Sequence, residues 1–394
     1  MDKIIYLDNA ATTKTAPQVV EAMLPYFSEK YGNASSIYQL GAESKQALTK
    51  ARDIIAESLH ADPAEIYFTA GGSEADNWAL IAAAEGYEAK GKHIITSKIE
   101  HHAILHTCQY LEKKGYEITY IDTDENGIIK LEDLKTAIRQ DTILISVMFA
   151  NNEIGTVQPI AEIGEIAKEN GILFHTDAVQ AYGHVPINVE TLHIDMLSAS
   201  GHKFNGPKGV GFLYIRKGVK VRSFIHGGAQ ERHRRAGTEN VPGIVGLGAA
   251  AQLALAQMKK RMENVSRLRD YLIGRIEKEI PHCRLNGDRI KRLPNNVNFS
   301  FRFIEGESLL IMLDMKGICA SSGSACTSGS LDPSHVLLAI GLEHEIAHGS
   351  LRLTLSEENT MEEIDYVVDA IKEVVNRLRQ MSPLYEDFVK TEQK

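Results

Sequence analysis

Short apolar runs alternate with longer amphipathic stretches through the first 216 residues of the chain. The apolar runs predict seven strands, at 66–69, 93–97, 117–121, 142–150, 173–176, 194–199 and 210–215. The helical spacing between them predicts helices at 73–90, 102–114, 130–139 and 160–170. Strands that alternate with helices predict an α/β fold, in which a mostly parallel seven-stranded sheet carries helices on both faces.

The pattern changes beyond residue 241. A helical stretch rich in Ala, Leu, Lys and Arg runs from 242 to 279 and predicts one long connecting helix. Two half-exposed strands and two helices follow, at 296–301, 351–355, 308–316 and 361–380. We therefore predict a smaller α+β domain after the α/β domain, and a solvated tail from Ser382 to the end.

The composition restricts the class of protein. Of the 394 residues, 43% are hydrophobic and 24% are charged, which is ordinary for a folded globular protein. The formal charge of −9 argues against direct nucleic-acid binding, because nucleic-acid binders are more often basic. The N-terminus shows no basic segment before an apolar run, and glycines interrupt the most apolar stretch at 241–256. We expect no secretory signal, no membrane span and a cytoplasmic location.

The four cysteines are Cys108, Cys283, Cys319 and Cys326. None has the two-residue spacing of a zinc ribbon, so we expect neither a metal centre nor a disulfide framework. Cys108 lies in a helical pattern and is expected to be buried and inert. Cys326 lies in a small, polar stretch with two glycines, which cannot pack into a core and predicts a mobile loop.

Candidate chemistry lies in the loops after the strands, because ligands of such sheets bind beyond the carboxyl ends of the strands. Gly72 and Ser73 open a predicted helix, whose free N–H groups could bind a phosphate. Ser73 is also a good N-cap, and in isolation a plain capped turn is the stronger explanation. Later strand ends lead to His101 and Asn152, which singly are more typical of structural hydrogen bonds or turns.

Two further strand ends carry an acid and an amine. Asp177 follows a buried strand, where an acid is costly unless it is paired, and Gln180 lies three residues on. Ser200, His202 and Lys203 follow the next strand and precede a Gly/Pro loop. A surface position is the usual explanation for any lysine, but this amine would lie near the pocket, where a desolvated amine could form a Schiff base.

Taken singly these signals are weak, but together they fit one ligand, pyridoxal phosphate. This cofactor needs an amine for its aldehyde, an acid for its pyridine nitrogen, donors for its phosphate and a flat group over its ring. The candidate amine is Lys203, the candidate acid is Asp177 and the candidate flat group is His101. The candidate phosphate donors are Gly72, Ser73, Ser200 and His202.

Four motifs are similar to those of cysteine desulfurases of the NifS/IscS type, a family of class V, fold-type I pyridoxal-phosphate enzymes. They are YLDNAATT at 6–13, SGHK at 200–203, RAGTEN at 235–240 and SSGSAC at 321–326. The resemblance extends from about residue 6 to residue 369, and SSGSAC is the most discriminating motif. The chain departs from the family pattern at Ser73, where Thr is common, and at Ala34 and Tyr38, where Pro and His are usual.

The resemblance implies a role for each matched residue around the cofactor. Lys203 would bond to the aldehyde, Asp177 would hold the pyridinium proton, and Gln180 would bond the ring hydroxyl. His101 would stack on the ring and could shuttle protons. Thr238 matches a residue lent to the phosphate site of the neighbouring subunit, which implies a homodimer. The phosphate would otherwise be bound by Gly72, Ser73, Ser200 and His202.

The resemblance also implies the reaction. Arg352 and Asn152 would bind L-cysteine, with Arg352 on the carboxylate, and Cys326 would take the sulfur as a persulfide while alanine leaves. Without the resemblance, Arg352 would be taken as a surface residue. The sulfur would pass to an acceptor protein such as an iron–sulfur scaffold, or to thio-cofactor or tRNA thiolation. We predict a large domain at 15–255 and a small domain formed by 1–14 and 256–394.

Two alternatives stay open at this point. The first is another enzyme of the same class, an aminotransferase or a selenocysteine lyase, in which Cys326 would be dispensable or L-cysteine a poor substrate. The second is a non-enzymatic iron–sulfur scaffold or sulfur carrier, for which the spacing between Cys319 and Cys326 is poor.

Overall fold

The computed structural model describes residues 4–322 and 333–392. The strands in these ranges are β1 Ile5–Tyr6, β2 Ile66–Thr69, β3 His93–Ser97, β4 Glu117–Ile121, β5 Thr142–Ser146, β6 Leu173–Asp177, β7 Met196–Ser200, β8 Gly211–Ile215, β9 Cys283–Leu285, β10 Asn296–Phe301, β11 Ile318–Cys319 and β12 Ser350–Thr354. The helices are α1 Pro17–Met23, α2 Pro25–Ser28, α3 Gln39–Leu59, α4 Gly72–Tyr87, α5 His102–Glu112, α6 Leu131–Ala137, α7 Ile160–Glu169, α8 Gln230–His233, α9 Val241–Glu279, α10 Gly306–Asp314, α11 His335–Ala339, α12 His344–His348, α13 Met361–Gln380 and α14 Pro383–Glu392.

The strands β2 to β8 form one sheet in the order β2-β8-β7-β6-β5-β3-β4. Parallel pairing joins the five strands from β4 to β7, and β8 is antiparallel to both of its neighbours. Every residue of β3, β5, β7 and β8 is buried, which explains why these strands do not alternate between apolar and charged residues. The predicted mostly parallel seven-stranded sheet is confirmed.

Helices cover both faces of this sheet. Leu144 and Leu213 pack with α4 and α5 on one face. Their neighbours Ile145 and Phe212 point to the other face, into a core built with α3, α7 and the first half of α9. Because α4 lies across the middle of the sheet, its first turns meet the carboxyl ends of the central strands.

A second core lies around the antiparallel sheet β12-β10-β9. The helix α9 belongs to both cores, since Leu247 packs in the first and Leu272 in the second. Helix α13 begins at a capping box between Thr360 and Glu363 and packs in the second core too. The observed elements match the predicted α+β region, while the boundary near residue 255 stays a prediction.

Helix α9 is the one described helix that is long and apolar enough to cross a membrane by length and composition. Half of its apolar window is buried inside the protein, as in the core helix of any large domain. The expectation that this stretch does not span a membrane stays a prediction.

The structure differs from the sequence prediction in several elements. The prediction of half-exposed strands at 296–301 and 351–355 is wrong, because β10 and β12 are buried along their whole length. Their polar side chains pack against the chain at Asn152 and Glu153 instead of facing solvent. The strand predicted at 142–150 ends at Ser146, after which Val147 and Phe149 continue as extended chain bonded to the carbonyl oxygens of His175 and Asp177. The predicted solvated tail is wrong, because its residues form α14. Phe388 of α14 packs on Phe303, with ring centroids 4.8 Å apart, so a tertiary contact orders a segment that has few apolar residues.

Candidate active site

A cavity of about 480 Å³ lies at the carboxyl ends of the central strands. Of the twelve predicted site residues, Cys326 lies outside the described residues, and Thr238 is exposed and does not line this cavity. The other ten do line it, namely Gly72, Ser73, His101, Asn152, Asp177, Gln180, Ser200, His202, Lys203 and Arg352. The structure thus brings together side chains that are up to 280 positions apart, while their chemical roles stay predictions.

The amine of Lys203 lies on the cavity wall in a short turn directly after β7. Its Nζ donates to the carbonyl oxygens of Ala10, at 2.5 Å, and Ala11, at 3.0 Å. Gln180 donates to the same Ala10 oxygen at 3.0 Å. An N-terminal segment therefore fixes the amine at the place where the sequence predicts it.

Asp177 is the last residue of β6 and is 5% exposed. Its Oδ1 accepts a hydrogen bond from the Val179 N–H at 2.8 Å. Burial raises the pKa of Asp177 to about 6, although the Val179 N–H and the charge of Lys203 act in the opposite direction. A cationic ring nitrogen in the cavity would supply the partner that this carboxylate needs.

A second carboxyl, Asp76, lines the same cavity from the second turn of α4. Its Oδ1 lies 3.8 Å from Nε2 of His175 and has no hydrogen-bond partner among the described residues. Burial, and after it the charge of Asp177, raises the pKa of Asp76 well above its ordinary value. His175 bonds to Ser146 and Ser198, and burial lowers its pKa to about 3, so this ring is neutral.

Asp76 was not predicted as a site residue, because an acid inside a helix usually faces solvent. A helical-wheel projection of α4 could have identified it. Asp76 lies about one turn after Gly72, on the same buried face of the helix.

The N-terminus of α4 packs closely against the chain that follows β6. Gly71, with φ of 153°, is the N-cap, so the prediction that Ser73 is the cap is wrong; Ser73 lies in the first turn. A Cβ atom at Gly72 would lie 2.6 Å from Cγ2 of Val179, so only glycine lets the helix start approach this strand end. The free N–H groups of this turn face a site where Ser73 can donate as well.

A neighbouring cavity of about 500 Å³ shares Gly72, Ser73, Ser200 and His202 with the first. Lys208 adds a positive charge to its wall, and Nδ1 of His202 bonds to Thr12 Oγ1 at 3.1 Å. Burial, followed by the charges of Lys203 and Lys208, lowers the pKa of His202 to about 4. This donor-rich end suits an anion such as a phosphate.

His101 is the N-cap of α5, where its Nδ1 accepts a hydrogen bond from the Ala103 N–H at 3.1 Å. This bond leaves the proton of a neutral ring on Nε2. Burial, and then the charge of Lys203, lowers the pKa of His101 to about 4, so the ring is neutral at ordinary pH. The geometry therefore favours His101 as an Nε2–H donor and disfavours the predicted role as a proton acceptor.

Arg352 lies on β12 and is 3% exposed. One terminal nitrogen donates to the Asn152 carbonyl oxygen at 3.1 Å, and the other donates to Oδ1 of Asp8 at 2.9 Å. Its Nε has no acceptor among the described residues. Arg352 is thus a buried cation on the cavity wall, and the alternative of a surface position is excluded.

The described cysteines take no part in this cavity. Burial raises the pKa of the Cys108 thiol strongly, which confirms the expectation of a buried, unreactive residue. Across the described ranges, no group of three or more His, Cys, Asp or Glu is arranged to hold a metal ion.

The cavity fits pyridoxal phosphate by the chemistry of its walls. An amine, a buried carboxylate with a raised pKa and an imidazole lie at Lys203, Asp177 and His101. The adjoining cavity offers the α4 N-terminus, three hydroxyls, an imidazole and a lysine to the phosphate, and its one carboxylate, Glu74, is paired with Arg235. The tight approach at Gly72 supports the same fit, because a side chain there would push the helix start away.

Comparison with known proteins agrees with this site. Residues 5–367 match the model of the aminotransferase class-V family, so the chain belongs to that family. A protein of Clostridium botulinum named cysteine desulfurase IscS is 58% identical, with both chains covered completely. A solved structure named NifS-like protein has a TM-score of 0.90 at 40% identity, and the match covers 95% of this chain and 100% of that one.

A further solved structure, described as SspA in complex with cysteine, is 38% identical with a TM-score of 0.77. That match covers 89% of this chain and 98% of the other.

Proposed function

We propose that this protein is a pyridoxal-phosphate-dependent cysteine desulfurase, which converts L-cysteine to L-alanine and takes the sulfur on the thiol of Cys326. The observation that carries the proposal is a single cavity that combines a strand-end lysine, a buried acid and a buried arginine, at Lys203, Asp177 and Arg352. Full-length relatives named cysteine desulfurase support it.

The cofactor, when bound, supplies an aldehyde for amines and a protonated ring that withdraws electrons from the substrate. Asp177 holds the proton on the ring nitrogen, because a buried carboxylate gains most from a cationic partner. Lys203 provides the amine for the aldehyde and, once released, a base for the α-proton of the substrate. The N–H groups at Gly72 and Ser73 anchor the phosphate.

Arg352 binds the α-carboxylate of L-cysteine, since a buried guanidinium with an unused Nε–H needs an acceptor. Asn152 lines the same wall, and its carbonyl oxygen orients the guanidinium. The substrate carboxylate is thereby fixed on one side of the cavity, and its α-carbon is directed towards Lys203.

The sulfur step needs no external oxidant. The C–S bond of L-cysteine breaks and an S–S bond forms on Cys326, so one amino acid and one thiol give alanine and one persulfide. The thiolate is the attacking form, so the thiol must first lose its proton. Ser321 lines the cavity, and Cys326 follows five residues later. Five residues of fully extended chain span at most about 17 Å between Cα atoms, so Cys326 is tethered close to the cavity.

The persulfide then passes its sulfur to an acceptor protein, such as an iron–sulfur scaffold or a protein of thio-cofactor or tRNA thiolation. We propose a homodimer in which Thr238, exposed and outside both cavities, serves the phosphate site of the partner subunit. A free thiol that carries sulfur requires a reducing compartment, which supports a cytoplasmic location.

The test is incubation of the holoenzyme with L-cysteine, followed by mass spectrometry of the peptide that contains Cys326. We expect one added sulfur atom on Cys326 and release of alanine. Cys326→Ser should keep the visible absorbance of the bound cofactor but form neither persulfide nor sulfide. Cys283→Ser is the matched control, because this half-buried thiol is outside the cavity, and it should behave like the unmodified protein.

Continued turnover of L-cysteine by Cys326→Ser would overturn the proposal. Amino-group transfer to a keto acid in that variant would identify an aminotransferase. Activity with selenocysteine but little with L-cysteine would identify a selenocysteine lyase.

A further inference from the structure

The motif at residues 6–13 contributes Asp8, Ala10 and Ala11 to the cavity wall. Its backbone oxygens at Ala10 and Ala11 accept from Lys203, and Thr12 Oγ1 bonds to His202. Asp8 is its charged member and the partner of Arg352. The segment therefore contacts both the cofactor side and the substrate side of the cavity.

Asp8 is held rigidly with respect to Arg352. It forms a parallel bridge with Thr354, two residues from Arg352 on β12. Directly after Asp8, the Asn9 side chain donates to the Thr354 carbonyl oxygen at 2.7 Å, and the Ala10 N–H donates to Thr354 Oγ1 at 2.8 Å. The Asp8 carboxylate is thus fixed to the same strand that carries the arginine.

The guanidinium is oriented by two acceptors on different elements. The Asn152 carbonyl oxygen takes one terminal nitrogen and the Asp8 carboxylate takes the other. A long arginine side chain loses rotamer freedom when it is fixed, and a preset orientation removes that cost from ligand binding. The Nε–H that stays without an acceptor is then presented by a side chain that is already in place.

The carboxylate of Asp8 affects substrate binding in two opposite ways, through its charge and through its hydrogen bond to Arg352. Asp8 is negative and lies beside the site for a carboxylate, so its charge alone would weaken the binding of an anionic group. Its hydrogen bond acts in the opposite sense, because it holds Arg352 against rotation away from the cavity. The two effects can be separated by substitution.

We propose that Asp8 is a positioning residue, whose carboxylate oxygen holds Arg352 in the orientation that receives the α-carboxylate of the substrate. This inference rests on the proposed function, in which Arg352 binds that carboxylate. Asp8 touches neither the substrate nor the reacting atoms, and it acts through the arginine.

The experiment measures equilibrium binding of the product, L-alanine, to the holoenzyme from the change in visible absorbance, beside KM and kcat for L-cysteine. Asp8→Ala removes the acceptor, and we expect at least a tenfold weaker binding of L-alanine and a tenfold higher KM, with kcat within about threefold. Asp8→Asn keeps an oxygen acceptor without the charge, and its binding should stay within about threefold of the unmodified protein.

Arg352→Ala is the control that separates the two proposals. If Arg352→Ala loses L-alanine binding and Asp8→Ala does not, the positioning role of Asp8 is wrong and the role of Arg352 stands. If both variants bind L-alanine normally, the proposed carboxylate site itself fails. Tighter binding in both Asp8 variants would show that the charge dominates and would also overturn the inference.

The Asp8→Ala result is interpreted at a temperature where far-ultraviolet circular dichroism shows the variant folded. Asp8→Ser replaces it if it does not fold, because the shorter hydroxyl removes the same contact with Arg352 while staying polar.

Discussion

Two buried arginines show how differently this fold uses the same side chain. Arg292, 5% exposed, lies beside the small antiparallel sheet, and its three nitrogens donate to the carbonyl oxygens of Asp288, Asn296 and Asn286. Arg352, 3% exposed, lies on the cavity wall with its Nε unsatisfied among the described residues. Burial is similar in the two cases, but Arg292 has an acceptor for each of its three nitrogens, whereas Arg352 pairs with Asp8 and keeps an Nε without an acceptor among the described residues.

This difference in hydrogen bonding distinguishes Arg292, which stabilises the fold, from Arg352, which is available to bind a ligand. Buried polar groups are almost always bonded, so a buried N–H on a cavity wall with no acceptor among the described residues is available to a ligand. The same holds for Asp76 on this wall, whose Oδ1 has no hydrogen-bond partner in the described ranges. Arg292 needs no ligand, and burial together with the charge of Arg269 lowers its pKa to about 9.

The largest effect is expected at the cavity amine. Lys203→Ala removes both the bond to the cofactor aldehyde and the base, so turnover of L-cysteine should fall by more than about 10³-fold. Thermal stability of the apoprotein should change little, because the amine lies on a cavity wall, where it donates to the backbone oxygens of Ala10 and Ala11. Borohydride reduction and peptide mass spectrometry of the unmodified protein should find the pyridoxyl group on Lys203.

Lys217→Ala is the control for the amine, since this exposed lysine follows β8 away from the cavity. Equal activity of Lys203→Ala and Lys217→Ala would contradict the assignment of the cofactor amine.

The next effect concerns stability. Arg292→Ala leaves three buried carbonyl oxygens without their donor, and we expect a loss of about 3 kcal/mol in the free energy of unfolding, measured with urea. Activity per folded molecule should be unchanged. Arg289→Ala is the matched control, because this arginine is 57% exposed and pairs only with Glu277 on the surface, so its loss should stay below about 1 kcal/mol.

If Arg292→Ala instead raised the KM for L-cysteine without a change in stability, the contrast between the two arginines would be wrong.

The smallest effect depends on pH. Glu100 is fully buried, accepts from Ser97 and the Met148 N–H, and burial raises its pKa to about 8. A carboxyl with a raised native pKa binds its proton more tightly when folded, so its stabilisation is complete below the unfolded pKa of about 4.3 and is lost as the pH rises through about 8. Between pH 6 and 9 we expect the unmodified protein to lose about 2 kcal/mol more stability than Glu100→Gln.

Urea unfolding at several pH values measures this difference, with the exposed Glu85→Gln as the control. Parallel stability curves for the unmodified protein and Glu100→Gln would show that Glu100 does not titrate in this range.

The sequence was most informative where burial is strongest. Strands buried on both faces are rich in apolar residues, so the seven strands were predicted, with β5 too long because Val147 and Phe149 continue the apolar run beyond Ser146 as extended chain bonded to β6. Polar residues directly after such runs, such as Asp177 and Lys203, could be placed near one another because parallel strands end at a common edge. The tail could not be predicted, since Phe388 of α14 is ordered by Phe303, which lies 85 positions away.

By itself the sequence determined the sheet, the strand-end lysine and acid, and the motifs of the family, because each of these can be recognised from a local hydrophobic pattern or from a short run of residues. Only the tertiary structure decided that Asp8 meets Arg352, 344 positions away, and that Asp76 turns inward beneath the cavity. Such contacts depend on where whole elements pack, and the free energy of that packing is distributed over many apolar residues that do not touch the site.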